Sequence, residues 1–575
     1  TDDWMSFGVT GLGDIDGDTI PDIAVGAPGD DDGASASGAV YVLALNGNGT
    51  VKTEWKVSDT TGGFGPALDA NDRFGFRVSG VGDLDGDGII GLAVSAFYDD
   101  DGGSDRGAIY VLDLAPPGCP AVDSDSDGLW DCEEDANADA DNDPSTNPGP
   151  DTDGDTTPNY LDADDDGDGT PTASENADPN ADGDPRDALD SDRDGQPDYL
   201  DIEAGPSTTP VADEQKISDT TGGLTATLDN SDFFGADVAP IGDLNSDGVV
   251  DLIVGARDDD DGGSGRGSVH ILFMNADGTV KAEQKISDTT GGLTAALADD
   301  DSFGRSVGAI GDIDGDGVPD AIVGAHNTDD GGIERGAVYI LFLNADGTVK
   351  AEQKIGSSDG GLTATIDDND LFGRSVAGVG DLDGDGIGDV AISAYLDDDG
   401  ASSAGAVHVL FLNADGTVKA EQKISNTAGS LGVTLDADDH FGKGVAALGD
   451  VDGDGVMDLA VGADRDNDGG AERGAVYILL LNTDGTVAST TKISDTTGGL
   501  TTPLDDGDYF GVSVGSVGDL NADGTADLLV GAERDGDGGT ERGAVYLLHL
   551  NTDGTVDSET KISDTAGGFG AALDN

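Results

Sequence analysis

The chain has 575 residues, enough for two or more domains, and its 26 Lys and Arg stand against 119 Asp and Glu, a formal net charge of -93. Such an anionic excess opposes binding to phosphate backbones and anionic membranes, which argues against nucleic acid as a partner and against direct membrane insertion. Self-repulsion on this scale calls for cations or high ionic strength to keep a fold compact; a halophilic or marine source would also give an acidic surface but would not explain where the acids sit.

The start at Thr1 (TDDWMSFG) reads as a processed or trimmed segment, and no membrane-spanning run follows it. The first feature is an acidic loop with carboxylates at positions 1, 3, 5 and 9 (Asp14, Asp16, Asp18 and Asp22) and the Ile20 carbonyl at position 7. Hard oxygen donors in this spacing wrap a cation at about 2.3–2.6 Å, and glycine at position 6 permits the sharp turn. Thr19 holds position 6 here, a strained residue if its backbone is left-handed. The second loop offers Asp83, Asp85, Asp87 and the Ile89 carbonyl but has Gly91 at position 9, so it is expected to bind more weakly or to recruit water.

After an apolar run at Ile109 to Leu114, residues 116–210 interrupt the pattern, which resumes at Asp213 to Ser218. This insert holds four twelve-residue acidic loops. Their donors are Asp123, Asp125, Asp127, Asp131 and Glu134; Asp151, Asp153, Asp155, Asn159 and Asp162; Asp164, Asp166, Asp168 and Glu175; and Asp190, Asp192, Asp194, Asp198 and Asp201. Pro-rich flanks cannot supply the paired helices of an EF-hand. With few apolar residues the segment is expected to be unfolded without metal, and an acidic disordered linker is the alternative. The two cysteines, Cys119 and Cys132, both lie here. A bridge would close a loop of about 14 residues, contribute about 3 kcal/mol and fit an oxidising compartment; two free thiols are the other reading.

Beyond the insert the loop recurs five times. The donors are Asp243, Asn245, Asp247, Val249 carbonyl and Asp251; Asp312, Asp314, Asp316, Val318 carbonyl and Asp320; and Asp381, Asp383, Asp385, Ile387 carbonyl and Asp389. They continue with Asp450, Asp452, Asp454, Val456 carbonyl and Asp458, and with Asp519, Asn521, Asp523, Thr525 carbonyl and Asp527. The leading aspartates are 69, 160, 69, 69, 69 and 69 residues apart, so the second unit carries 91 more than the others (160 less 69) and seven units of 69 fill the rest. Calcium suits these loops better than magnesium, which keeps more water: about seven ions in the repeats and several in the insert.

Each unit reads as four short strands. In the fifth these are Phe372 to Val379, Asp389 to Ala394, Gly405 to Leu412 and Val418 to Ile424, with an Asp-Gly hairpin in NADGT before the last. Seven such units predict an all-β fold: a seven-bladed β-propeller of four-stranded antiparallel blades, with a loop-rich calcium-binding insert in blade 2. The divisions are residues 1–115 (blades 1 and part of 2), 116–210 (insert) and 211–575 (end of blade 2 and blades 3–7). A β-solenoid fits less well, because 69 residues is too long for one coil.

The sequence resembles the FG-GAP repeats of integrin α-chain propellers and their bacterial relatives, on Phe7-Gly8 and Gly26-Ala27-Pro28 flanking the first acidic loop and on seven in-phase copies. Later units depart from it, with Phe, Arg, His, Tyr, Asp or Glu in place of Pro after GA or SA. The insert resembles thrombospondin type 3 repeats, in which metal ions replace a hydrophobic core. These resemblances imply a secreted or cell-surface module for adhesion or recognition of a protein or glycan, monomeric or part of a larger chain, with structural metals. A calcium-dependent lectin, a polysaccharide-active enzyme and a structural spacer are the alternatives, since fold does not fix function.

The loops between second and third strands are also acidic, and most end in an arginine (Arg106, Arg266, Arg335, Arg473, Arg542); a solvated acidic rim is expected there. No catalytic grouping stands out, so an enzyme is not expected. His270 and His408 occupy a third-strand slot held elsewhere by tyrosine, His549 lies near a third-strand end, and His326 and His440 are isolated in loops of different units.

Overall fold

The computed structural model describes residues 3–16, 18–62, 64–65, 67–84, 90–114, 211–570 and 573. Among them are seven four-stranded antiparallel sheets, each a simple meander of four consecutive strands. The predicted seven-bladed propeller is the observed architecture. In blade 5 the strands are Val376–Gly380, Asp389–Ala394, Ala406–Leu412 and Val418–Ile424. The first is shorter than expected, because Phe372 leaves the sheet to bridge Gly336 of the preceding blade.

Second and third strands such as Asp389–Ala394 and Ala406–Leu412 are buried along their whole length, which explains runs without polar alternation. Each blade is covered on both faces by its neighbours, and seven hydrophobic clusters fill the seven interfaces between blades. In four blades a phenylalanine meets the third-strand tyrosine edge-on, as in Phe303–Tyr339 at 5.2 Å. His270 and His408 take the tyrosine's place against Phe234 and Phe372 at 5.1 and 5.2 Å, so they are packing residues. Blades approach so closely that a Cβ on Gly255 would lie 1.9 Å from the Gly304 carbonyl oxygen, and Gly304 itself is left-handed (φ 92°).

The ring closes by repeating its own linker. In blades 3 and 4 the fourth strand receives the segment arriving from the previous blade, as Val280 N to Gly222 O (3.1 Å) and Val349 N to Gly291 O (2.8 Å). Residues after the last strand dock on blade 1 in the same way: Val51 N bonds Gly567 O (2.8 Å), Gly570 N bonds Glu54 Oε2 (2.7 Å), and Phe569 packs on Tyr41.

The structure corrects one repeat assignment. In phase with the other blades, Met5 and not Phe7 holds the bridging slot, pairing with Gly543 of blade 7. Phe7 lies two residues further on, at the position of Phe76 and Arg374. In blade 2, Ala108–Leu114 pairs with Val211–Ile217, so the chain leaves at Leu114 and returns at Val211, two residues before the expected Asp213. Cys119, Cys132 and the insert's predicted loops fall outside the described residues.

Candidate metal centre

Each acidic loop joins the first and second strands of its blade and is folded by its own carboxylates. In blade 5, Asp381 accepts from the Asp385 and Gly386 amides (2.8 and 2.7 Å), and Asp385 accepts from Ile387 N (2.9 Å). Glycines at positions 4 and 6 are left-handed, as Gly384 (φ 77°) and Gly386 (φ 90°). Thr19 is left-handed too (φ 72°), the strained state expected of a non-glycine there; Ser246 and Ala522 do the same at position 4.

The predicted donors converge. One oxygen from each of Asp14, Asp16 and Asp18 falls within a 4.8 Å cluster, as do those of Asp312, Asp314 and Asp316, of Asp381, Asp383 and Asp385, and of Asp450, Asp452 and Asp458. Asp243, Asn245, Asp247 and Asp251, and Asp519, Asn521, Asp523 and Asp527, occupy equivalent loops in which asparagine replaces one carboxylate. In blade 2 Asp83 is described, whereas Asp85, Asp87 and Ile89 lie outside the described residues.

The aspartate at position 9 has a second role that the ligand pattern alone did not reveal. It is buried, and both its oxygens accept backbone amides: Asp389 takes Leu382 N and Leu412 N, each at 3.0 Å. Asp22, Asp251, Asp320, Asp458 and Asp527 repeat the pattern, fastening the loop to the end of the third strand. Burial pushes the Asp22 carboxyl up to about 7 and those of Asp251, Asp320, Asp389 and Asp458 to about 6, against the pull of those two donors. In blade 7 His549 Nδ1 adds a contact to Asp527 at 3.0 Å.

The sequence reading also missed a lysine. The second residue of the fourth strand reaches the carboxylates of the same blade's loop: Lys350 lies 2.6 Å from both Asp314 and Asp316, Lys419 2.6 Å from Asp383 and Asp385, and Lys52 2.7 Å from Asp16 and Asp18. Lys281 contacts Asp247 at 2.6 Å. The recurring Val-Lys after each NADGT hairpin was the available signal. Blades 6 and 7 have Ala488 and Asp557 instead.

The donor set fits a divalent cation. Two carboxylates about 4 Å apart repel by roughly 4 kcal/mol at an effective dielectric near 20, and a single ammonium offsets this only in part. In blade 5, Asp383 Oδ1 is buried without a hydrogen-bond partner even though Oδ2 meets Lys419. Blades 6 and 7 have no lysine at this position at all.

On the opposite face the expected solvated rim is instead largely an internal ion-pair network. The first carboxylate of each second-to-third-strand loop is buried in six blades (Asp30, Asp99, Asp259, Asp397, Asp466, Asp535), and each meets a lysine from its own fourth strand. The arginines are clasps: Arg266 holds Asp288 and Asp299 of the linker at 2.7 and 2.9 Å, and Arg473 holds Asp495 and Asp506 at 2.9 Å. Arg106, Arg335 and Arg542 repeat the clasp with Asp219, Asp368 and Asp564. His326 and His440, distant in sequence, are gathered at the axial end of this face: His326 sits in the field of Arg305 and Arg374, and His440 packs on Tyr395.

Comparison with known proteins agrees with this architecture. The FG-GAP repeat family matches residues 8–43, 372–410, 441–479 and 510–548. Integrin alpha-4 of Xenopus laevis is 36% identical over 173 residues, 29% of this chain and 15% of that protein. Integrin alpha-11 of Homo sapiens is 35% identical over 167 residues, 28% of this chain and 12% of that protein. The matched stretches thus span under a fifth of those relatives' length. Among solved structures, the BP39L lectin from Burkholderia pseudomallei has 13% identity and a TM-score of 0.40, covering 98% of this chain and 100% of that one. The chain carries FG-GAP repeats folded as a seven-bladed propeller similar to those of integrin alpha chains.

Proposed function

We propose that this protein is a calcium-dependent adhesion or recognition module acting outside the cell, secreted or on a cell surface, whose metals are structural. The observation that carries the reading is the coincidence of integrin-alpha-like FG-GAP repeats with six complete oxygen-donor loops, each fastened by a buried aspartate to its own blade. Calcium in those loops rigidifies one face of the ring and offsets part of the charge of -93. The insert, placed between third and fourth strands of blade 2, emerges at the same end as the metal loops and adds a thrombospondin type 3-like calcium segment. Its partner is a protein or glycan at a cell surface, and the chain works as a monomer or as part of a larger one.

The test is binding of the calcium-loaded chain to an array of extracellular proteins and to a glycan array, each repeated in chelator. Calcium-dependent retention of a protein is the expected result. Retention on glycans alone would make it a lectin, release of reducing ends from polysaccharides an enzyme, and no retention anywhere a spacer; each of these overturns the adhesion reading.

A further inference from the structure

The seven repeats are nearly identical except at the axis. The residue seven positions before each loop's leading aspartate differs from blade to blade: Phe7, Phe76, Ala236, Arg305, Arg374, Lys443 and Val512. The residue that replaces the family's proline after GA or SA varies too, and includes Phe97, Arg257, His326 and Tyr395. Both positions fall where the first strand begins and the second ends, at the axial end away from the acidic loops. Repeats that keep every structural residue but diverge at one ring of positions mark the place where the molecule is specialised.

That ring surrounds a cavity of about 270 Å³ lined by all seven blades, with Phe7, Arg77, Asp237, Arg374, Lys443 and Glu533 among its walls. One arc is cationic, although the chain as a whole is strongly anionic. Arg77, Arg257 and Lys443 each have a carboxylate near them: Asp237 at 3.3 Å, Asp258 at 3.6 Å and Asp464 at 3.5 Å. Arg305 and Arg374 have no ion pair among the described residues. Arg305 is only 4% exposed, its Nη1 has no hydrogen-bond partner, and it sits in the repulsive field of Arg374, Arg77 and Arg257. A buried guanidinium without an acceptor is costly, so this arc is built to receive negative charge. Glu533, beside Lys443, bounds it on the blade 7 side.

The opposite arc is aromatic. Phe7 and Phe76 stack at 4.5 Å, and Phe76 and Phe97 at 3.9 Å. We infer that the axial mouth binds a small oxyanion, a carboxylate or sulfate, carried on a flat apolar body: the Arg305 and Arg374 arc takes the oxygens and the Phe7, Phe76 and Phe97 shelf takes the body. Guanidinium forks pair bidentately with such groups, and aromatic faces favour flat partners. A polyanion would have to cross the field of a chain carrying -93, whereas a single anionic group on a neutral body does not. The site stands on the propeller's geometry and is independent of the adhesion reading.

The test is calorimetric titration of the calcium-loaded full chain with benzoate, phenyl sulfate and, as the cationic control, benzylamine, at fixed ionic strength. At least one of the two anions is expected to bind at one per chain with Kd below about 1 mM, and which of them does identifies the head group. Arg374→Met is expected to weaken it at least tenfold while keeping the parent melting temperature, and Phe76→Ala to weaken it while sparing any binding of acetate or inorganic sulfate. Lys443→Met serves as a second variant should Arg374→Met fail to fold. Absence of binding by both anions, equal binding of benzylamine, or anion binding unchanged in a folded arginine or lysine variant would overturn the inference.

Discussion

Replacing Asp389 with alanine separates its two roles. Its carboxylate is a candidate ligand, and it also accepts Leu382 N and Leu412 N at 3.0 Å inside the blade. Each buried amide left without an acceptor costs about 1–3 kcal/mol, so Asp389→Ala is expected to cost about 2–6 kcal/mol even in chelator, with a further loss in calcium. Asp389→Asn keeps one acceptor oxygen and should cost about half as much. Asp381→Ala, at an exposed position whose amide donors water can satisfy, should matter only in calcium. The assay is urea unfolding with and without calcium, comparing midpoints and slopes. If Asp389→Ala is destabilised only in calcium, and by no more than Asp381→Ala, the aspartate is a ligand alone and the fastening role is wrong.

Two further outcomes follow from neighbouring geometry. Lys350→Met removes the ammonium between Asp314 and Asp316, so it should lower stability in chelator yet raise calcium affinity at blade 4, measured by calcium titration of the two proteins. On the other face, burial and then Asp259 push the Asp232 carboxyl up to about 7, while its Oδ1 lacks a partner. With a folded pKa above the unfolded value, the proton stabilises the fold below about pH 4, and that stability is lost as pH rises toward 7. Asp232→Asn mimics the protonated form, so it should stabilise the protein by about 1–3 kcal/mol at pH 8 and hardly at pH 4; equal unfolding midpoints of variant and parent at pH 8 would contradict this.

Blade number, strand order and the metal loops were legible because each is repeated in register: seven equal spacings leave little choice of architecture. What escaped the sequence depended on pairings across space. Phe7-Gly8 imitates the bridging dipeptide, and only its mismatch with the 69-residue phase betrays that Met5 holds the slot. The acidic loops of the far face looked solvated because the lysines that neutralise them, such as Lys285 with Asp259 at 2.5 Å, lie about 25 residues downstream on another strand. Position 9 carried a ligand pattern, but its acceptor role requires the third strand to end beside it. The axial arc was invisible for the opposite reason: its residues differ in every repeat, so no consensus points to them, and only closure of the ring brings Arg77, Arg305 and Arg374 together.

The central claim is that divalent cations in the acidic loops hold the ring. Each site filled at a hundred times its dissociation constant contributes about 2.7 kcal/mol, so six complete loops contribute about 16 kcal/mol. Scanning calorimetry of the chain in calcium and in chelator, at equal ionic strength, measures this directly. A fall in melting temperature of at least about 10 °C on chelation, restored by calcium, is the predicted result. An unchanged melting temperature would contradict the account.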